Sequence, residues 1–200
     1  MSALPADPDP LSKTLLRQAA LFRRGAISPQ TRDLLTARLI ERGVAFAHET
    51  EACVVSAFAP IRDEPDALAL LAALSAAGFA TALPVTVGSG EPLVFRLWRP
   101  GDPTVRGALG IREPSPEAPA VDPDLLFVPL AAFDRRGHRI GYGAGHYDRT
   151  LNRLRKAGPI HAVGVAYSVC EVDAVPDEGH DERLDFILTE RDWIDARGAR

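Results

Sequence analysis

The sequence predicts an α/β sandwich built on a largely parallel sheet. Strand-like and helix-like segments alternate along most of the chain, the order expected of βα units. Residues 125–133 form a nearly unbroken apolar run, and 53–58 and 160–167 resemble it; such runs read as buried strands, the last of parallel type. A glycine-rich loop follows the first run and leads into a helical pattern, with Tyr147, Leu151 and Leu154 at i, i+4 and i+7. Strand, glycine loop and helix in that order set the positive end of the helix dipole at the loop.

Residues 1–10, rich in proline and aspartate, are expected to be a disordered lead, and 11–200 a single domain. A helix is expected from about Ser12 as N-cap, with Leu15, Leu16 and Ala19 toward the core. Lys13, Arg17 and Arg24 stand at i, i+4 and i+11, a basic stripe of the kind that is usually a solvated face. Ser28-Pro29 offers an N-cap and a proline at the first helical position, and the second helix should run to Gly43 with Leu34, Leu35, Leu39 and Ile40 apolar. After the strand 53–58 the chain turns through Ala59 to Glu64, at the end of a strand where open α/β sheets bind ligands. Taken alone, Glu64 is a helix-start carboxylate. Pro65 to Ala77 reads as a helix closed by Gly78 at C′. Phe79–Val87 and Leu93–Trp98 are strands joined by a glycine turn, with Phe95 and Trp98 suited to the core. Residues 114–123, with four prolines, read as a stiff connector, and Gly158-Pro159 ends the helix that follows the central loop.

Composition narrows the function classes. Forty-six per cent hydrophobic and 25% charged residues are ordinary for a soluble globular protein. A net charge of −4 argues against a nucleic-acid partner. Two distant cysteines, Cys53 and Cys170, form neither a disulfide framework nor a zinc motif, and both are expected to be small buried side chains. No signal-peptide pattern and no run long enough to span a membrane is present, so a cytoplasmic protein is expected; separately, a monomer is expected.

The chemistry concentrates in Gly137 to Asp148. Gly141, Gly143 and Gly145 alternate, and glycine reaches positive φ without strain, so successive N–H groups can converge on an anion. The helix N-terminus favours phosphate there. Arg139 adds a fixed cation, and Asp148 is placed to hold Mg²⁺ against phosphates or simply to cap the helix. The loop lacks the Gly-Lys-Ser/Thr ending of a Walker A loop and the spacing of the dinucleotide fingerprint. From these residues alone an anion site and a plain glycine turn remain equally open.

The whole segment carries more. Phe127 to Asp134, then Gly137, then Arg139 to Arg149 and Leu151 closely resembles the 5-formyltetrahydrofolate cyclo-ligase family, with His146 where tyrosine is usual and Ala144 where glycine is common. The resemblance extends from Lys13 to Thr189. It implies a three-layer α/β/α fold of the kind shared with sugar-phosphate isomerases and CoA transferases. Family members begin with a helix bearing Lys-x-x-x-Arg whose side chains reach the ATP phosphates, which implies that role for Lys13 and Arg17. The loop residues Arg139, Ile140, Gly141, Tyr142, Gly143, Ala144, Gly145, His146 and Tyr147 match the ATP site, and Arg139 and Lys13 match catalytic positions. Glu64 matches a folate-binding glutamate and Ala59 the apolar contact beside it, while Tyr142 and Tyr147 are left to either ligand. Asp148 and Asp185 match the aspartates that hold Mg²⁺. The Gly110–Pro114 stretch is similar too, although Leu109 stands where many members carry an aromatic residue.

The activity so implied is ATP-dependent ring closure of 5-formyltetrahydrofolate to 5,10-methenyltetrahydrofolate, releasing ADP and phosphate. A formamide oxygen is a poor leaving group; phosphorylation makes it a good one and leaves an electrophilic carbon for nitrogen 10 of the same folate. The attack is intramolecular, so positioning supplies much of the rate, and phosphoryl transfer needs charge neutralisation above all. Another ATP-dependent ligase or kinase, or a nucleotide-binding regulatory module without turnover, remains the alternative.

Overall fold

The computed structural model describes residues 10–108 and 110–198. Two helices, α1 (Pro10–Gly25) and α2 (Pro29–Glu49), precede β1 (Val54–Ser56), α3 (Ala67–Ala76), β2 (Ala80–Val85) and β3 (Val94–Leu97). A small antiparallel hairpin, β4 (Thr104–Arg106) with β5 (Arg112–Pro114), is followed by β6 (Ala120–Val121) and β7 (Leu125–Pro129). A second small hairpin, β8 (Ala132–Phe133) with β9 (Arg139–Ile140), leads to α4 (His146–Ala157), β10 (His161–Val165), β11 (Phe186–Leu188) and β12 (Trp193–Asp195).

The main sheet has eight strands in the order β12-β11-β10-β7-β1-β2-β3-β6. The central strands β11, β10, β7, β1 and β2 pair in parallel, and β12, β3 and β6 are added antiparallel at the two edges. Along β7 the side chains alternate between two cores. Leu125 and Phe127 pack with Leu39 and Phe46 of α2 and Leu70 and Leu74 of α3. Leu126 and Val128 pack on the other face with Leu151 and Leu154 of α4. Helices therefore cover both faces, giving the expected three layers. Each fully buried leucine contributes about 1.5–3 kcal/mol, so the apolar run that reads as a strand is also the strand that holds the layers together.

Several boundaries differ from expectation. The helix α1 already includes Pro10, suited to a first turn because it has no N–H to satisfy, so Ser12 lies inside the helix and is not its cap. The lead expected over residues 1–10 falls on 1–9 outside the described residues. Leu15 and Phe22 are 64% and 82% exposed, and Ala19 is exposed too, whereas Ala20 and Arg24 are buried. The basic stripe of α1 is thus its inward face. The second helix does not stop at Gly43 but runs to Glu49. A Cβ at Gly43 would stand 2.7 Å from Leu70 Cδ1 and 3.2 Å from Phe127 Cζ, so this glycine lets α2 approach α3 and β7 closely. Leu34 on that helix is exposed. The run 125–133 is divided, since β7 ends at Pro129 and Ala132–Phe133 pairs with β9 instead. The proline-rich connector supplies the edge strand β6. Cys53 is exposed, and only Cys170 is buried as expected. Gly78, at φ +93°, follows the C-cap Ala77 of α3, as its place in the sequence requires.

Candidate active site

A cavity of about 790 Å³ opens at the C-terminal ends of β1, β2 and β7, the ligand-binding end of a parallel sheet. Its walls come from Lys13 and Arg17 of α1, the Phe58–Glu64 turn, the β5 segment Ile111–Glu113, Arg139 to Asp148, and Glu178 to Asp181. Lys13, Arg17, Ala59, Glu64, the whole of 139–147 and Asp148 therefore share one pocket.

Two of the loop glycines are needed for conformation. Gly143 has φ +96° and Gly145 φ +64°, and Gly145 is the N-cap of α4 without any side-chain cap bond. The first turn of the helix is left with backbone donors and the positive end of the dipole, a setting that favours an anion. Gly141 does not have positive φ, and nothing lies within 4 Å of where its Cβ would be. Arg17 braces the loop: its Nε donates to the Gly141 carbonyl at 2.7 Å. His146 starts α4, and its Nδ1 donates to the Glu91 carbonyl at 2.8 Å. Asp148 lies in the first turn of α4, beyond the cap position.

Two cations of the pocket are already engaged. The Arg139 side chain is 5% exposed and donates to Asp148 Oδ1 at 2.7 Å and to the Glu182 carbonyl. The Glu182 N–H donates to the same Oδ1 at 3.2 Å, so both bonds to Asp148 fall on one oxygen. Lys13 pairs with Asp181 at 2.9 Å and Glu178 at 3.1 Å. Burial opposes the charge on Lys13, but the bonds and charges of Asp181 and Glu178 outweigh it and raise its pKa.

Across the loop sits a buried carboxylate. Glu64 is 8% exposed; its Oε2 accepts the Ile61 N–H at 2.9 Å and its Oε1 accepts the Tyr142 hydroxyl at 2.6 Å. Burial pushes the Glu64 carboxyl up, against the pull of Tyr142, the Ile61 N–H and the Arg24 charge. Burial, together with the charge and hydrogen bond of Glu64, pushes Tyr142 up to about 12. Tyr147 is also raised, by burial first and then by Glu64. Both tyrosines thus belong electrostatically to the Glu64 side of the pocket.

Asp185 is not brought to this place. It precedes β11, at the N-terminal end of the parallel strands, where its carboxylate accepts the Ala162 N–H at 2.8 Å and pairs with Arg155 at 3.3 Å. The expectation that Asp148 and Asp185 share one cation is corrected by this placement: the two lie at opposite ends of the strands. Among the described residues no group of three or more His, Cys, Asp or Glu side chains is arranged to hold a metal by itself. The expectation attached to Leu109 lies outside the described residues.

Four residues that line or back the pocket carried no expected site role from the sequence. Glu113 is 6% exposed, accepts the Thr86 N–H at 3.0 Å, and fits only because Gly107 leaves the space over which its carboxylate lies. Glu178 and Asp181 close over Lys13, and Arg24 stands behind Tyr142. The signals available were the place of Arg24 on the basic stripe of α1 and that of Glu113 in the Gly110–Pro114 stretch.

Comparison with known proteins agrees on one family. The profile of the 5-formyltetrahydrofolate cyclo-ligase family matches residues 10–190. A 5-formyltetrahydrofolate cyclo-ligase of Mycolicibacterium smegmatis is 34% identical over 195 residues, covering 94% of this chain and 98% of that protein. The enzyme of the same name from Escherichia coli K12 is 32% identical over 174 residues, covering 84% and 94%. The NMR structure of Aquifex aeolicus 5,10-methenyltetrahydrofolate synthetase superposes with a TM-score of 0.77 at 29% identity, covering 94% of each chain.

Proposed function

The chain belongs to the 5-formyltetrahydrofolate cyclo-ligase family, whose enzymes convert 5-formyltetrahydrofolate to 5,10-methenyltetrahydrofolate at the expense of ATP, and we propose that the pocket between α1, the glycine loop and Glu64 is where this chain does so. The observation that carries the assignment is the meeting, in one cavity, of a left-handed glycine loop that opens a helix with a buried carboxylate joined to that loop through Tyr142.

In this reading the loop amides and the N-terminus of α4 hold the ATP phosphates, with Arg17 fixing the loop's backbone. Lys13 turns from Glu178 and Asp181 to the phosphates, a cation exchanging one set of oxygens for another. Arg139 stays with Asp148 and contributes its charge to the transferring phosphoryl group. Glu64, with Ala59 beside it, orients the folate so that the formyl oxygen faces the γ-phosphate. That oxygen attacks phosphorus and ADP leaves; nitrogen 10 then adds to the formyl carbon, its proton is lost, and the phosphorylated oxygen departs as phosphate. The two nitrogens belong to one molecule, so the chain's work is orientation and charge neutralisation.

Asp148 fits a Mg²⁺ site of the common type, in which one carboxylate and substrate phosphates share the cation, because its two protein bonds fall on Oδ1. When bound there, Mg²⁺ would supply positive charge to offset that of the phosphates. Asp185, held by Arg155, does not fit that set. A reduced folate and ATP are the partners in this reading, with no nucleic acid, and a cytoplasmic monomer is the working form. No described helix is long and apolar enough to cross a membrane.

The test is turnover of purified protein with ATP, Mg²⁺ and 5-formyltetrahydrofolate, followed by the near-ultraviolet absorbance of the methenyl product. Product that appears only with all three is the expected result. ATP hydrolysis with no methenyl product would refute it in favour of another ligase or kinase, and ATP binding without any turnover in favour of a regulatory module.

A further inference from the structure

We infer that Arg24 is a positioning residue: from α1 it fixes Tyr142 of the glycine loop against Glu64, so that one buried cation sets both the phosphate loop and the folate carboxylate. The inference rests on the reading of Glu64 as the group that meets the folate.

Arg24 is 3% exposed, and its Nε and Nη1 have no hydrogen-bond partner among the described residues. Its Nη2 donates to the Tyr142 hydroxyl at 2.9 Å, and that hydroxyl donates to Glu64 Oε1 at 2.6 Å. A guanidinium buried with two idle nitrogens is costly, and packing does not require it: Ala20, one turn earlier on the same face, fills its place with a methyl group. What balances a buried cation is a buried anion. The groups that act on Glu64 are the Ile61 N–H from its own turn, Tyr142 from the loop, Tyr147 from α4 and Arg24 from α1, and of these Arg24 is the cation. The other groups facing Arg24 are Tyr167 and Cys170, both neutral at physiological pH. Arg23 points away, its Nε donating to the Val169 carbonyl.

The phenol between the two charges has a consequence for binding. Direct bidentate pairing with arginine would occupy both carboxylate oxygens. Here Oε1 takes one bond from Tyr142 and Oε2 one from Ile61, which leaves each oxygen a lone pair for N–H donors of a bound substrate. Arg24 supplies charge without using those acceptors.

The variants are Arg24→Met, Arg24→Lys and Tyr142→Phe. In ligand-free protein, ¹³C NMR follows the Glu64 carboxyl through a pH titration, its signal assigned with Glu64→Gln. Arg24→Met should move the midpoint upward, and Arg24→Lys should return it toward that of the unsubstituted protein. Tyr142→Phe removes only the bridging hydroxyl and should also move it upward. In turnover, Arg24→Met should raise KM for 5-formyltetrahydrofolate about tenfold, the loss expected for about 1.4 kcal/mol, with kcat much less affected. An unchanged Glu64 midpoint in folded Arg24→Met would overturn the inference, as would Arg24→Lys behaving like Arg24→Met in both measurements. If Arg24→Met does not fold, an unchanged midpoint in Tyr142→Phe overturns it instead. Absence of turnover in the unsubstituted protein would refute the proposed activity, whereas the titration, which needs no ligand, judges Arg24 separately.

Discussion

Alanine at Gly143 separates what the loop does for folding from what it does for a nucleotide. The residue holds φ at +96°, where a side chain meets its own carbonyl, at a cost of about 1–2 kcal/mol. No collision adds to this, because the nearest atom to a Cβ there is Arg17 Nη2 at 3.7 Å, an ordinary contact. For a chain of this length about 1 kcal/mol is roughly 2–4 °C of melting temperature, so Gly143→Ala should melt about 2–8 °C lower. Gly141→Ala is the internal control: with ordinary φ and nothing within 4 Å, it should stay within about 0.5 kcal/mol of the parent. Calorimetric titration then reads function. If the loop amides cradle phosphate, Gly143→Ala should bind ATP at least about tenfold more weakly, or about 1.4 kcal/mol, while 5-formyltetrahydrofolate added without ATP binds with little change. A folded Gly143→Ala protein with parental ATP affinity would refute the phosphate-cradle argument and leave the loop as a turn.

Two further substitutions probe the charges. Asp148→Asn should lower turnover at limiting Mg²⁺ at least about tenfold and also lower the melting temperature, because Arg139, 5% exposed, loses its counter-charge; unchanged activity would remove Asp148 from the metal site. Asp134 is buried, and although burial opposes its charge, bonds from the Val175 N–H and from Arg136 hold its carboxyl below the usual range. A depressed folded-state pKa gives stability that is present above the unfolded value, near 4, and is lost as pH falls through the folded value. Denaturant unfolding of Asp134→Asn should therefore show a loss at neutral pH that shrinks in acid; a loss of equal size at pH 7 and pH 2 would show that the bonds, not the charge, matter.

What could be read in the sequence, and what could not, follows from the range of the interactions. β7 and β10 were legible because strands covered on both faces must be apolar at every position. β6, β8 and β9 are two residues long and carry no period of their own. Gly43 looked like a helix stop because its real cause, the nearness of Leu70 and Phe127, is tertiary. The glycine loop was legible because backbone geometry selects glycine locally, at Gly143 and Gly145. The two-carboxylate cover on Lys13 and the Arg24–Tyr142–Glu64 line were not, since each joins segments far apart in the chain. The family pattern named Asp185 without showing that Arg155 holds it here.

The first helix has an awkward place in the order of synthesis. Its bonds reach Gly141, Tyr142, Val169, Glu178 and Asp181, with separations of 124, 118, 146, 165 and 168 residues. As the chain leaves the ribosome, α1 is therefore made well before every segment that those bonds reach. Contacts of such separation are slow to form, since a long loop must close before any of them contributes. Until then the helix carries buried-face cations and the exposed ring of Phe22 into solvent together. None of these bonds goes to a strand of the main sheet, whereas Lys13 and Arg17 wall the pocket, so the appearance of ATP binding during refolding should lag behind the formation of the sheet.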